Sequence, residues 1–279
     1  MSGGDGVLRT RRITVGHGLP IETQFGYSGA LQLGGLVHVA GQLARDHKGQ
    51  QVSGPLPTKL DAAYDNIAAL LAKLGLSLAA IIQVQIHCTA PLPASLDAIA
   101  RITADRLQLD HVAITILEVA GLNDPDGLVE ISAVACAGER RSGEGRVATG
   151  KFQTFALDNS FAKRLGASDV VCFEDQIFVS GQMAVDDSGR LLHPGAIDAQ
   201  FGVALDQVDA ALRRAGSSIS KVLALDIFTT VPLSPELFDS FCAAHRTRMT
   251  EYFPTGTMVR VVQLPIEGAL VCVSAIAAR

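Results

Sequence analysis

The chain has 279 residues, of which 48% are hydrophobic and 18% charged, with a net charge of −5; that is the balance of a globular protein with room for two ordinary domains. The acidic balance, the 5% aromatic content and the lack of Trp exclude a basic or base-stacking surface for nucleic acid. No run approaches the roughly 18–20 apolar residues of a membrane helix, and Met1–Gly6 lacks the apolar stretch of a leader, so a cytoplasmic protein with no membrane partner is expected.

In chain order, Val37, Val39 and Gly41 close a short β-branched strand. Gly34-Gly35 before it is a turn signal, since no Gly-Lys-Ser/Thr follows to make a phosphate loop. Residues 59–74 place Leu60, Tyr64, Ile67, Leu70, Leu71 and Leu74 at helical spacing, and Gly75 supplies a stop. A strand over 81–89, a helix over about 94–106 and strands over about 111–118 and 128–136 follow. The polar, Gly-rich run from Gly138 to Arg146 has the composition of a linker.

The pattern then repeats. LGGLVHVAGQLARDHKGQ from Leu33 matches FEDQIFVSGQMAVDDSGR from Phe173 at an offset of 140. GLSLAAIIQVQIHCTAPL from Gly75 matches GSSISKVLALDIFTTVPL from Gly216 at an offset of 141. LVEISAVA from Leu128 matches LVCVSAIA from Leu270 at an offset of 142. So slow a drift means the same elements in the same order, twice. Domains are placed at 1–140 and 150–279, with a linker over 141–149. The second half has a helix over about 197–215, a strand over 222–230, a helix over 235–251 and strands over 257–263 and 269–277. The order ββ–α–β–α–ββ predicts an α+β fold in which two helices cover one face of each sheet. The other face then needs a neighbouring domain or subunit, which predicts a homo-oligomer.

Five cysteines (Cys88, Cys136, Cys172, Cys242 and Cys272) are widely spaced with no C-x-x-C, and the seven histidines form no pair at ligand spacing. No metal and no cofactor are expected, and the thiols are read as reduced. His87, His111 and His245 read as structural or surface residues.

Gly26-Tyr27-Ser28, Val39-Ala40-Gly41-Gln42 and Val129-Glu130-Ile131-Ser132-Ala133-Val134-Ala135 in the first half carry a resemblance to a known family. So do Val179-Ser180-Gly181-Gln182, Tyr252-Phe253-Pro254, Leu264-Pro265 and Val271-Cys272-Val273-Ser274-Ala275-Ile276-Ala277 in the second. Each half resembles the RidA/YjgF family of enamine/imine deaminases, over nearly the whole chain. The resemblance implies a chorismate-mutase-like fold, trimeric packing, and small-molecule sites in clefts between neighbouring domains. It also implies a carboxylate-binding arginine, which a guanidinium fork suits. Ile114 and Gly256 stand at that position, so neither half keeps it. The family's water-positioning glutamate matches Glu130 in the first half and Cys272 in the second, and its tyrosine matches Tyr27 and Ala167.

Each of these residues has two readings. Glu130 is a general base with a raised pKa or a solvated glutamate. Cys272 is a nucleophile or a small core residue. Tyr27 closes a cleft or is a half-buried aromatic. Arg260 shares a strand face with Gly256 and either supplies the missing cation or makes a salt bridge. Gly41 and Gly181 let a ligand approach the backbone or mark strand-end bulges. The expected function is hydrolytic deamination of a small imine, enamine or related unsaturated metabolite, and the alternative is a non-catalytic small-molecule binder or regulatory protein.

Overall fold

The computed structural model of the chain describes residues 12–137, 152–157, 161–250 and 252–279. The stretch considered for a leader and the linker expected over 141–149 lie outside the described residues. In the first half the elements are β1 (Ile13–Val15), α1 (Pro20–Phe25), β2 (Ala30–Leu33), β3 (Leu36–Leu43), α2 (Leu56–Ala72), β4 (Ile81–Cys88), α3 (Leu92–Arg106), β5 (Ala113–Glu118) and β6 (Val129–Cys136). The second half repeats them as β7 (Phe152–Phe155), α4 (Phe161–Arg164), β8 (Val170–Phe173), β9 (Gln176–Gln182), α5 (Ile197–Arg214), β10 (Val222–Thr229), α6 (Pro235–Arg248), β11 (Thr255–Arg260) and β12 (Val271–Ala278). The fold is α+β, two tandem domains with one six-stranded sheet each.

The strand orders are β1-β2-β3-β6-β4-β5 and β11-β10-β12-β9-β8-β7, the same arrangement twice. Only β4–β5 and β10–β11 pair in parallel, each joined through a crossover helix. Each half adds a short strand and a short helix ahead of the expected pattern. Elements of three to six residues carry too few turns or alternations to show in the sequence.

The helix α2 buries Leu60, Tyr64, Ile67, Leu70 and Leu71 completely against its sheet. Its Tyr64 hydroxyl donates to Thr103 Oγ1 of α3 at 3.0 Å, which ties the two helices together within the apolar layer. Gly75 ends the helical run in the left-handed region at φ +73°, with Leu76 N donating to Leu71 O at 2.9 Å. Gly216 does the same at φ +75°, with Ser217 N donating to Leu212 O at 2.9 Å. This six-to-one closure satisfies a carbonyl the helix cannot use, in a conformation glycine adopts at least cost.

The faces of the two sheets turned away from the helices meet. Leu36, Ile82, Val134, Val171, Phe173 and Phe178 form one apolar cluster across the junction. The core of the first half also runs into the second through Phe161, Met183, Phe228 and Leu264. Strand β5 lies along β9. Ile114 N donates to Ser180 Oγ at 2.7 Å, and Gly181 N donates to Thr115 Oγ1 at 3.1 Å. Ser168 Oγ donates to Asp110 O at 2.6 Å, and Val262 N donates to Glu118 O at 2.8 Å. Buried backbone groups are thus paired across the junction, and the buried edge of β5 is satisfied.

Candidate functional site

The register of β3 against β6 slips between Val39 and Gln42, and β9 against β12 slips at the equivalent place, Val179 to Gln182. Gly41 and Gly181 sit in these bulges. In the first half the bulge brings the Gly41 backbone against the side chain of Glu130, and a Cβ at position 41 would collide with that carboxylate. The missing Cβ thus lets the Glu130 carboxylate lie against the strand, and a side chain at position 41 would push it aside.

Glu130 opens into a cavity of about 310 Å³. One wall is the loop from His17 to Leu19 with Ile21, Glu22 and Phe25 of α1; Tyr27 follows on the same side. The opposite wall is the end of β3, Gly41 to Leu43, with Arg45 and Asp46 beyond it, and Asn66 and Asn123 close the rim. Its volume lies near the lower end of the usual range for small-molecule sites, about 300 Å³, and its lining mixes the apolar Leu19, Ile21, Phe25 and Leu43 with many polar groups.

The charged groups of the cavity are paired, with one exception. Glu22 Oε1 accepts from His17 N at 2.7 Å, and Oε2 accepts from Gly18 N at 2.8 Å and Leu19 N at 3.2 Å. Burial works to raise the Glu22 pKa, but these amides together hold it below the usual carboxylate range. Asp46 accepts from Gln50 N and Lys48 N, both at 2.9 Å, which also lowers its pKa. Arg45 donates to Gly49 O at 2.8 Å and to Asp124 Oδ2 at 3.1 Å. Gln42 turns its amide nitrogen to Ala40 O at 2.9 Å, so its Oε1 faces His17 and accepts from Nε2 at 2.8 Å. Among the described residues, Glu130 has neither a hydrogen-bond nor an ion-pair partner, and burial pushes its pKa up.

The sequence-derived residues separate in space. Tyr27, Gly41 and Glu130 come together in the first-half cavity. Tyr27 is about half exposed, and burial raises its pKa, which keeps it a phenol. Ile114 points into the core of its own domain and is 2% exposed, so its side chain fills space instead of leaving it. Gly181 faces Cys272, whose Sγ would stand 2.7 Å from an added Cβ, and Thr115 from β5 closes the rest of that spot. Cys272 is fully enclosed, and burial pushes its thiol up to about 12, so it is protonated at neutral pH. Gly256 and Arg260 lie on the exposed edge strand β11, with open space around Gly256. They do not line the first-half cavity within one chain.

Sequence reasoning missed His17, Glu22 and Arg45. The carboxylate of Glu22 follows His17-Gly18-Leu19 at the start of a helix, the spacing of a carboxylate that caps the first turn. His87, expected to be a structural or surface residue, pairs directly across from Glu130 on β4, and burial lowers its pKa, which keeps it neutral at pH 7.

The sequence model of the Endoribonuclease L-PSP family matches the chain twice, over residues 20–137 and 160–279. The chain belongs to this family. Similar solved structures each cover a little under half of the chain. A Mycobacterium tuberculosis member of the YjgF/YER057c/UK114 family is 26% identical over 46% of this chain and 100% of its own, with a TM-score of 0.41. YjgF from E. coli is 26% identical over 46% of this chain and 98% of its own, with a TM-score of 0.40. A Rid family protein of Yersinia pestis, YyfA, is 26% identical over 46% and 99%, with a TM-score of 0.41. No curated protein matches. Among the described residues no group of His, Cys, Asp and Glu could hold a metal ion, and no helix is long and apolar enough to cross a membrane.

Proposed function

We propose that this Endoribonuclease L-PSP protein hydrolyses a small imine, or the enamine that tautomerises to it, in the first-half cavity. The observation that carries the reading is the unpaired carboxylate of Glu130, set against the Gly41 backbone in the first-half cavity. Burial raises its pKa toward the range where a carboxyl exchanges protons near neutrality.

In the reaction, a water held by Glu130 adds its oxygen to the imine carbon as the carboxylate takes its proton. The substrate enters as the iminium, so the C=N π pair moving to nitrogen leaves the neutral amine of a carbinolamine and no second proton is needed. Glu130 then gives its proton to that nitrogen, the C–N bond breaks as the hydroxyl oxygen forms the C=O bond, and the hydroxyl proton passes back to the Glu130 carboxylate and on to solvent as ammonia and the carbonyl product leave.

Ribonuclease action, which the family's description names, is not supported by a chain of net charge −5. The second half contributes architecture in this reading, since Thr115 and Cys272 fill the position equivalent to the cavity. We propose further that copies of the chain associate and that the protein acts in the cytoplasm. The internal junction uses β5 and the Ser168–Gly181 surface. Their counterparts, β11 on the second half and the Tyr27–Gly41 surface on the first, are left open. Tyr252, Phe253 and Val262 are exposed near one, and Phe25, Tyr27 and Leu33 near the other.

The test is ammonia release from freshly generated imines with and without a carboxylate, 2-iminobutyrate and the imine of n-butylamine, by wild type and Glu130→Ala. Release above the uncatalysed rate that falls at least a hundredfold in the variant is expected. Equal rates in both proteins would leave a binding role.

A further inference from the structure

The charge pairing in the first-half cavity says which kind of substrate it takes. Two of its anions, Glu22 and Asp46, are already satisfied by backbone amides. Its one cation among the described residues, Arg45, is held by Asp124 and the Gly49 carbonyl. His87, beside Glu130 on the neighbouring strand, is kept neutral by burial. Among the described residues of one chain, Glu130 is the charged side chain of the cavity lining that has no partner. A second carboxylate, brought by the ligand, would be buried without a partner and would face Glu130, which is costly. A cation would neutralise it.

We propose that the cavity selects a cationic nitrogen compound without a carboxylate, an iminium or ammonium whose charge pairs with Glu130. The imine substrate would then derive from a primary amine, and the reaction that supplies it is the oxidation of an amine, not of an amino acid. This rests on the cavity being the binding site, but it does not require turnover.

The experiment compares two ligands with the same ring and opposite charge, cyclohexylammonium chloride and sodium cyclohexanecarboxylate. Binding to the full chain is followed by calorimetry at pH 8. Cyclohexylammonium is expected to bind at least tenfold more tightly, and Glu130→Gln is expected to remove most of that difference. Tighter binding of the carboxylate, equal binding of the two, or no binding of either at millimolar concentration overturns the proposal. So does an ammonium affinity unchanged in a folded Glu130→Gln protein. The comparison in wild type stands whether or not the variant folds. A carboxylate preference would also point to a cation entering the cleft from a second copy, with Arg260 on β11 as the candidate. Ammonium preference without ammonia release would sink the hydrolytic reading alone. Ammonia release from 2-iminobutyrate with carboxylate preference would sink this one alone.

Discussion

Glu130 occupies β6 between Val129 and Ile131, both fully buried, and its own side chain is turned to the opposite sheet face. Alternation along the strand puts it at the cavity while its neighbours hold the core. Its raised pKa has a consequence for stability. A carboxyl whose folded-state pKa lies above its unfolded value contributes fully below the unfolded pKa, and that contribution is lost as pH rises through the folded value. Glu130→Gln stays neutral throughout. The variant is expected to equal wild type in urea unfolding at pH 4 and to exceed it at pH 8. A wild type that is the more stable at pH 8 would mean the carboxylate is paired in solution. The sequence made Glu130, Gly41 and Tyr27 legible as a set through their motifs. It did not reveal that Ile114 turns inward, because Ala113–Glu118 is buried on both faces, Thr115 and Glu118 included, so no exposed polar alternation marks which face is which.

At the level of elements, the helices α2 and α5 were legible from their 3.6-residue spacing and their glycine stops. The partner of β5 was not. That strand is bonded on one side to β4, and its other side is covered by residues about 66 positions later, such as Ser180 and Gly181. No local pattern records such a contact. Thr115 is 5% exposed and takes the Gly181 amide, so Thr115→Val keeps the shape and removes the acceptor. The orphaned amide is expected to cost about 1–3 kcal/mol. A lower urea midpoint with an unchanged slope would report this. An unchanged midpoint would mean that the amide finds water and that the junction is looser than its distances indicate.

For the whole molecule, the repeat predicted the same elements twice with different residues at the family's site positions, and the fold adds a difference in surroundings. The same bulge is an open cavity in one half and a filled contact in the other, because one edge strand is internal and its equivalent is exposed. The proposed association through β11 and the Tyr27–Gly41 surface is a head-to-tail contact, which closes into a ring or propagates. Light scattering after size exclusion is expected to give an oligomer, with three copies the number the family resemblance implies. Tyr252→Ser with Phe253→Ser is expected to shift it toward the single chain. A wild-type mass of one chain at micromolar concentration would remove the proposal.

The junction between the halves differs from every contact between separate chains in one respect. β5 and β9 belong to one polypeptide, so each is always present to the other at an effective concentration of about millimolar, whatever the protein concentration. Dilution that would separate a pair of free subunits leaves these strands together. The filled second-half position therefore stays filled at any abundance of the protein, while occupancy of the open surfaces in the proposed association would follow expression level.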